Sequence, residues 1–95
     1  MAAYVIVDVQ ITDPVAYERY KASVPASIAA YGGRFLARGG RTETLEGDWE
    51  PGRLVVLEFE SMEKARAWWS SQEYAEPKKI RQSASVTRMI VVEGV

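Results

Sequence analysis

The sequence predicts an α+β domain of order βαββαβ, in which a four-stranded antiparallel sheet carries two helices on one face. Three observations lead there. Residues 3–11 alternate with period two, Asp13 opens a capped helical stripe, and two more alternating runs are separated by glycine- and proline-rich turns ahead of a second helical stretch and a last strand. At 95 residues the chain is one domain. A domain of that size buries roughly 65% of the surface its unfolded chain exposes, so its core is modest and association with a second copy is expected.

In the first strand Val5, Val7, Val9 and Ile11 point one way and Tyr4, Ile6, Asp8 and Gln10 the other. The first helix has Asp13 as N-cap and Pro14 at the first helical position, where a missing N–H costs nothing. Tyr17, Tyr20, Val24, Ile28 and Tyr31 recur three or four apart as one buried stripe, and Gly32 ends the helix. Pro25 lies inside this pattern and predicts a kink or short break near Ser23 and Val24. "GGRFLARGG" reads as the second strand and "RLVVLEF" (53–59) as the third, joined through turn chemistry at Gly47-Asp48 and Pro51-Gly52. Ser61 starts the second helix, and 86–92 is the last strand, closed by Gly94. This is the ferredoxin-like arrangement.

Composition excludes much. The chain has no histidine and no cysteine. That removes imidazole bases, thiolate nucleophiles, Ser-His triads, disulfides, axial haem histidines and ordinary zinc sites together, so no cofactor and no metal are expected. Any chemistry falls to carboxylates, Arg, Lys, Tyr, Ser or backbone. Twelve Lys and Arg against thirteen Asp and Glu leave a net charge of −1, which provides no field to hold a phosphate backbone. An RNA-recognition module of the same strand order needs aromatics on its open sheet face, where the third strand offers Leu54, Val56 and Glu58. Nucleic acid is therefore not an expected partner. The opening "MAAYVIVDVQ" has no basic segment, and Asp8 interrupts its apolar run too early for a signal peptide or membrane span, so a cytoplasmic protein without membrane association is expected.

"SMEKARAWWSSQEYAEPKKIRQSAS" (61–85) concentrates two adjacent tryptophans, a tyrosine and several cations. Helical neighbours differ by about 100°, so two adjacent indoles cannot both face the core. Trp69 aligns with Met62 and Ala65 and is expected inside. Trp68 shares its side with Ser61, Lys64 and Gln72 as well as Ala65 and is expected at an edge, against a partner subunit, a loop or a ligand. Ser70-Ser71-Gln72-Glu73 fits a capping box, with Trp69 and Tyr74 in the flanking positions of a hydrophobic staple, so the helix is expected to stop, turn and restart. Lys78, Lys79 and Arg81 suit the C-terminal end of a helix, where cations meet its dipole. Two helical turns separate Tyr74 from Arg81 and place them on one side.

The face of the sheet away from the helices collects Tyr4, Ile6, Asp8 and Gln10, Leu54, Val56 and Glu58, and from the second strand Arg34, Leu36 and Arg38 on one parity. Such a face is too apolar for bulk water, and a two-fold homodimer through the sheets accounts for it. Within it Asp8, Arg38 and Glu58 form the sharpest constellation: carboxylates in a partly closed space raise one another's pKa, and a guanidinium lowers it. An interface network of ion pairs is the competing reading of the same residues.

"DPVAYERYKASVPASIAAYGGRFLARGG", "LEGDWEPGRLVVLEF" and "AWWSSQEYAEPKKIRQSAS", with the ordered motifs "YGGR", "RGG", "EGDW" and "SxEY(x6)R", closely resemble the domain-of-unknown-function family 1330 of the dimeric α/β-barrel superfamily. The resemblance covers nearly the whole chain. It implies a ferredoxin-like subunit whose sheet packs on its twin's to form a barrel, and it marks Arg38, Trp49, Trp68, Tyr74 and Arg81 among the motif positions. It supplies no reaction: superfamily relatives include cofactor-free monooxygenases, muconolactone-type isomerases and haem-binding dismutases, and the absent histidine argues against the last.

Two functions are carried forward. One is a small dimeric enzyme, monooxygenase- or isomerase-like, acting on an apolar or aromatic molecule, with Trp68, Trp69 and Tyr74 shaping the pocket and Asp8, Arg38, Glu58 or Arg81 handling protons or an enolate-like charge. The other is a non-catalytic ligand-binding or interaction dimer using the same cavity.

Overall fold

The computed structural model describes all 95 residues, Met1–Val95. Its elements are β1 (Ala3–Ile11), α1 (Pro14–Ala30), β2 (Arg34–Arg38), β3 (Arg53–Phe59), α2 (Met62–Trp69), α3 (Gln72–Ala84) and β4 (Ser85–Glu93). The four strands form one antiparallel sheet in the order β2-β3-β1-β4. The second helix stops and restarts at Ser70-Ser71, as its sequence predicts, and so forms α2 and α3. The molecule measures 34 × 32 × 16 Å. A thickness of 16 Å is that of one sheet and one helical layer, so the second face of the sheet lies bare in the single chain and the sheet is open, not a closed barrel.

The core lies between the helices and the alternating residues of β1 and β3. Val5, Val7 and Val9 meet Leu57 and Val55 across the ladder, with Phe59 at its end. Tyr17, Tyr20, Val24 and Ile28 of α1 and Trp68 and Tyr74 of α2 and α3 close the other side. α1 begins as its sequence dictates: Asp13 Oδ1 accepts from the Ala16 N–H at 3.1 Å, and Pro14 opens the first turn. The helix stops where Gly32 takes φ +73°, the left-handed region that L side chains resist.

Pro25 does not break α1, which runs unbroken from Pro14 to Ala30. Its missing N–H leaves the Lys21 carbonyl without its helical donor, and Arg38 Nη2 supplies one at 2.7 Å from across the helix-sheet gap. Arg38 reaches that carbonyl because β2 is irregular. Phe35 pairs with Leu57 but Ala37 pairs with Val56, and the extra residue, Leu36, reverses the parity of the rest of the strand. Arg34, Leu36 and Arg38 therefore do not share a face, as unbroken alternation predicts. Arg34 lies opposite Glu58 on the open face, whereas Arg38 pairs with Val55 on the helix side and lies over the Phe35 ring.

The two tryptophans are reversed from the expectation. Trp68 is 1% exposed and Trp69 45%. Both candidate stripes run through Ala65, so spacing alone does not choose between them. The surroundings choose. The Trp68 ring stacks on Tyr74 at 4.1 Å and lies 5.4 Å from Phe59, and its indole N–H donates to the Ser27 hydroxyl of α1 at 3.1 Å. Ser27 in turn donates to the Val24 carbonyl at 2.8 Å, which satisfies the buried pair. The capping residue is also one position later than predicted. Ser71, not Ser70, accepts from the Tyr74 N–H at 3.1 Å, while Ser70 closes α2 by donating to the Arg66 carbonyl. Tyr74 thereby turns inward onto Trp68, and no staple joins it to Trp69. Glu73 is freed to accept from the Tyr31 hydroxyl at 2.9 Å.

Candidate functional site

Two hollows flank β4, which is an edge strand and borders both. On the helix side a cleft of about 710 Å³ runs between the α2–α3 corner and β4. Its walls are Trp68 and Trp69 from α2 and Thr87, Met89 and Val91 from the inward-facing positions of β4. Arg81 of α3 lies in its floor. Trp69 stands at the rim, one indole face covered by the Lys78 ammonium at 3.8 Å, which also donates to the Trp69 carbonyl at 2.8 Å. A cavity of this size falls in the range of small-molecule sites, and its mixture of indole, thioether and branched aliphatic surface suits an apolar ring.

Behind that wall lies a buried polar cluster. Arg81 is only 5% exposed, and its Nε donates to the Tyr74 hydroxyl at 3.1 Å. The Tyr74 and Tyr20 hydroxyls are hydrogen-bonded at 2.9 Å. Burial, followed by the neighbouring Tyr74, pushes the Tyr20 phenol well above its ordinary value, so Tyr20 stays neutral and is no base. Burial likewise raises Tyr17. Arg81 takes part in none of the chain's ion pairs, which join Lys21 to Glu18, Arg34 to Glu58, Lys79 to Glu76 and Arg88 to Asp8.

On the other face the loop from 39 to 52 folds over the sheet and ends at Asp8. Asp8 is 7% exposed and fully engaged. Its carboxylate accepts from the Trp49 indole N–H at 2.9 Å, from the Gly52 backbone N–H at 2.9 Å and from Arg88 Nη2 at 3.2 Å. Those donors, the indole first and the Gly52 N–H next, outweigh burial and hold Asp8 below the usual carboxylate range. Gly52 is required at this point because a Cβ there would strike the Val9 carbonyl. This open-face hollow, about 600 Å³, is bordered by Asp8, Asp48, Trp49, Glu50 and Arg88.

The expected constellation is therefore divided. Asp8 and Glu58 share the open face, but Asp8 lies opposite Leu54 and Glu58 opposite Tyr4, four register positions and roughly 13 Å apart along β1. Glu58 pairs with Arg34 at 2.7 Å, and Arg38 is on the opposite side of the sheet. No carboxylate lines the helix-side cleft. Trp68, Trp69 and Arg81 do meet there, with Tyr74 one hydrogen bond behind Arg81. Sequence reasoning missed the β4 contribution of Thr87, Met89 and Val91, although their period-two spacing carries the signal. It also missed Arg88 and Trp49 as partners of Asp8, for which no local signal exists.

A two-layer ferredoxin-like domain with a bare sheet face and a helix-side cleft is the class this geometry defines. The chain belongs to the family described as Domain of unknown function (DUF1330), whose model matches residues 2–95. It is similar in structure to a protein of unknown function from Rhodopseudomonas palustris, with 20% identity, a TM-score of 0.78, and coverage of 99% of this chain and 82% of that one. It is also similar to a dimeric ferredoxin-like protein of unknown function from Jannaschia sp. CCS1, with 12% identity, a TM-score of 0.68, and coverage of 99% and 100%. A third similar structure is SnoaB, a cofactor-independent oxygenase from Streptomyces nogalater, with 12% identity, a TM-score of 0.67, and coverage of 99% and 93%. At these identities the likeness is one of fold. No curated protein matches the sequence. No helix is long and apolar enough to cross a membrane.

Proposed function

We propose that the chain is one subunit of a homodimer that binds a small apolar or aromatic molecule in the cleft between the α2–α3 corner and β4. The observation that carries this reading is the cleft itself: about 710 Å³, walled by Trp68, Trp69, Met89 and Val91, with a polar floor. The homodimer rests on the open face, where Val56, Ile6 and Ile90 stand side by side in cross-strand register and Ile90 is 61% exposed. The similar protein from Jannaschia is described as dimeric, which supports the same assembly.

Cofactor-independent oxygenation is the chemistry to assay first, because SnoaB shares the fold and because the cleft offers a cation without a carboxylate base. Acid-base isomerisation by Asp8 and Glu58 has no support from their positions, since both are held in ion pairs outside the cleft. The binding reading is tested by calorimetric titration with 2-naphthamide, a neutral two-ring probe, against wild type and Trp69→Ala. Saturable binding by wild type, weakened severalfold by loss of the rim indole, is expected. Equal binding by both proteins would remove the cleft as the site.

A further inference from the structure

We infer that the cleft's ligand is an anion, a ring carrying a carboxylate or an enolate-type oxygen, and that Arg81 is its seat. The inference rests on the proposed binding cleft and adds the charge of the molecule that enters it. A guanidinium taken out of water is costly unless a negative partner receives it. Arg81 is only 5% exposed, yet its one side-chain partner is a neutral phenol, Tyr74. Part of the compensation comes from the C-terminal end of α3, in whose last turn Arg81 lies. That end supplies about half an elementary charge, and the two terminal nitrogens of the fork, which no hydrogen bond within the chain engages, are left for a partner in the cleft that Arg81 borders.

The groups behind Arg81 fit the same purpose. Nε is held by Tyr74, Tyr74 is held by Tyr20, and Trp68 stacks on the Tyr74 ring at 4.1 Å, so the plane of the guanidinium is oriented before a ligand arrives. Tyr20 remains a neutral O–H and adds no charge that would cancel the cation. A planar carboxylate accepts two parallel N–H bonds from such a fork, and an enolate oxygen accepts one or two. The apolar walls then take the ring that bears it. Arg66, also bordering the cleft, is the competing cation, but it is exposed on α2 and carries no burial cost that a ligand would relieve.

The test compares 2-naphthoate with 2-naphthamide, rings of the same size that differ in charge, by calorimetry at pH 7. Wild type is expected to prefer the naphthoate by roughly tenfold or more, the worth of one charge-assisted pair. Arg81→Gln should bring that ratio near one, and Arg66→Gln should keep the ratio. Naphthamide binding without preference in wild type would overturn the anion seat and leave the binding cleft standing. A ratio that survives Arg81→Gln, or falls with Arg66→Gln, would place the anion elsewhere and overturn the assignment. Failure of both probes to bind would overturn the cleft and the seat together. Should Arg81→Gln not fold, the Arg81 Nε–H resonance of wild type decides: it is expected to shift with naphthoate and not with naphthamide, and no shift with naphthoate refutes the inference.

Discussion

Arg38 donates to the one carbonyl of α1 that Pro25 strips of its helical partner, the Lys21 oxygen, at 2.7 Å. A proline in the middle of the first helix and an arginine at the end of the second strand thus form one unit, and the bulge at Leu36 is what turns the arginine toward it. Arg38→Met is expected to cost about 1 kcal/mol, and Pro25→Ala, which restores an N–H to the helix, should make Arg38 dispensable. Denaturant unfolding of the two single variants and the double variant checks this. Additive effects would show that the pair is not coupled.

Trp68→Ala should cost about 3–5 kcal/mol, because it empties a slot closed by Phe59, Tyr74 and Ser27 and removes the indole donor to the Ser27 hydroxyl. Trp69→Ala should cost less than about 1 kcal/mol, since nearly half of its surface is already in water. Urea midpoints of the two variants give the comparison, and the opposite order would contradict the packing described.

Asp8 ties acid stability to the loop over the open face. Its folded pKa is depressed by Trp49 and Gly52, so its contribution is fully present above the unfolded value of about 3.9 and is lost as pH falls through the lower folded value. The stability difference between wild type and Asp8→Asn should therefore be constant above about pH 5 and shrink below about pH 4. A difference that grows on acidification has the wrong sign for this account.

Ile6→Glu places a carboxylate between Val56 and Ile90 in the apolar row of the open face. Light scattering at micromolar concentration is expected to give a dimer mass for wild type and a monomer mass for the variant, with its fold retained by circular dichroism. A monomeric wild type would rule out the proposed assembly, and a dimeric Ile6→Glu would move the interface elsewhere.

The strands, the first helix and its cap, and the bare second face were legible in the sequence, because each is written in short-range physics. Period-two alternation in Val5, Val7 and Val9, an Asp13-Pro14 start and a Gly32 stop depend on neighbours a few residues away. The functional side was less so. Whether Trp68 or Trp69 enters the core depends on the azimuth at which an eight-residue helix docks, and that was decided by Ser27 and Tyr74, 41 positions before and 6 after Trp68. One unpaired residue in β2 moved Arg38 through the sheet, and a bulge has no signature in an alternating pattern that continues on both sides of it. Asp8 found Arg88 through register and Trp49 through the fold of the 39–52 loop, and Arg81 is buried without an ion-pair partner. Local sequence determines which elements form. Which side chains meet is settled by how the faces of those elements come together, and for this chain that places the Asp8 and Glu58 ion pairs on one side of the sheet and the buried Arg81, in no ion pair, on the other.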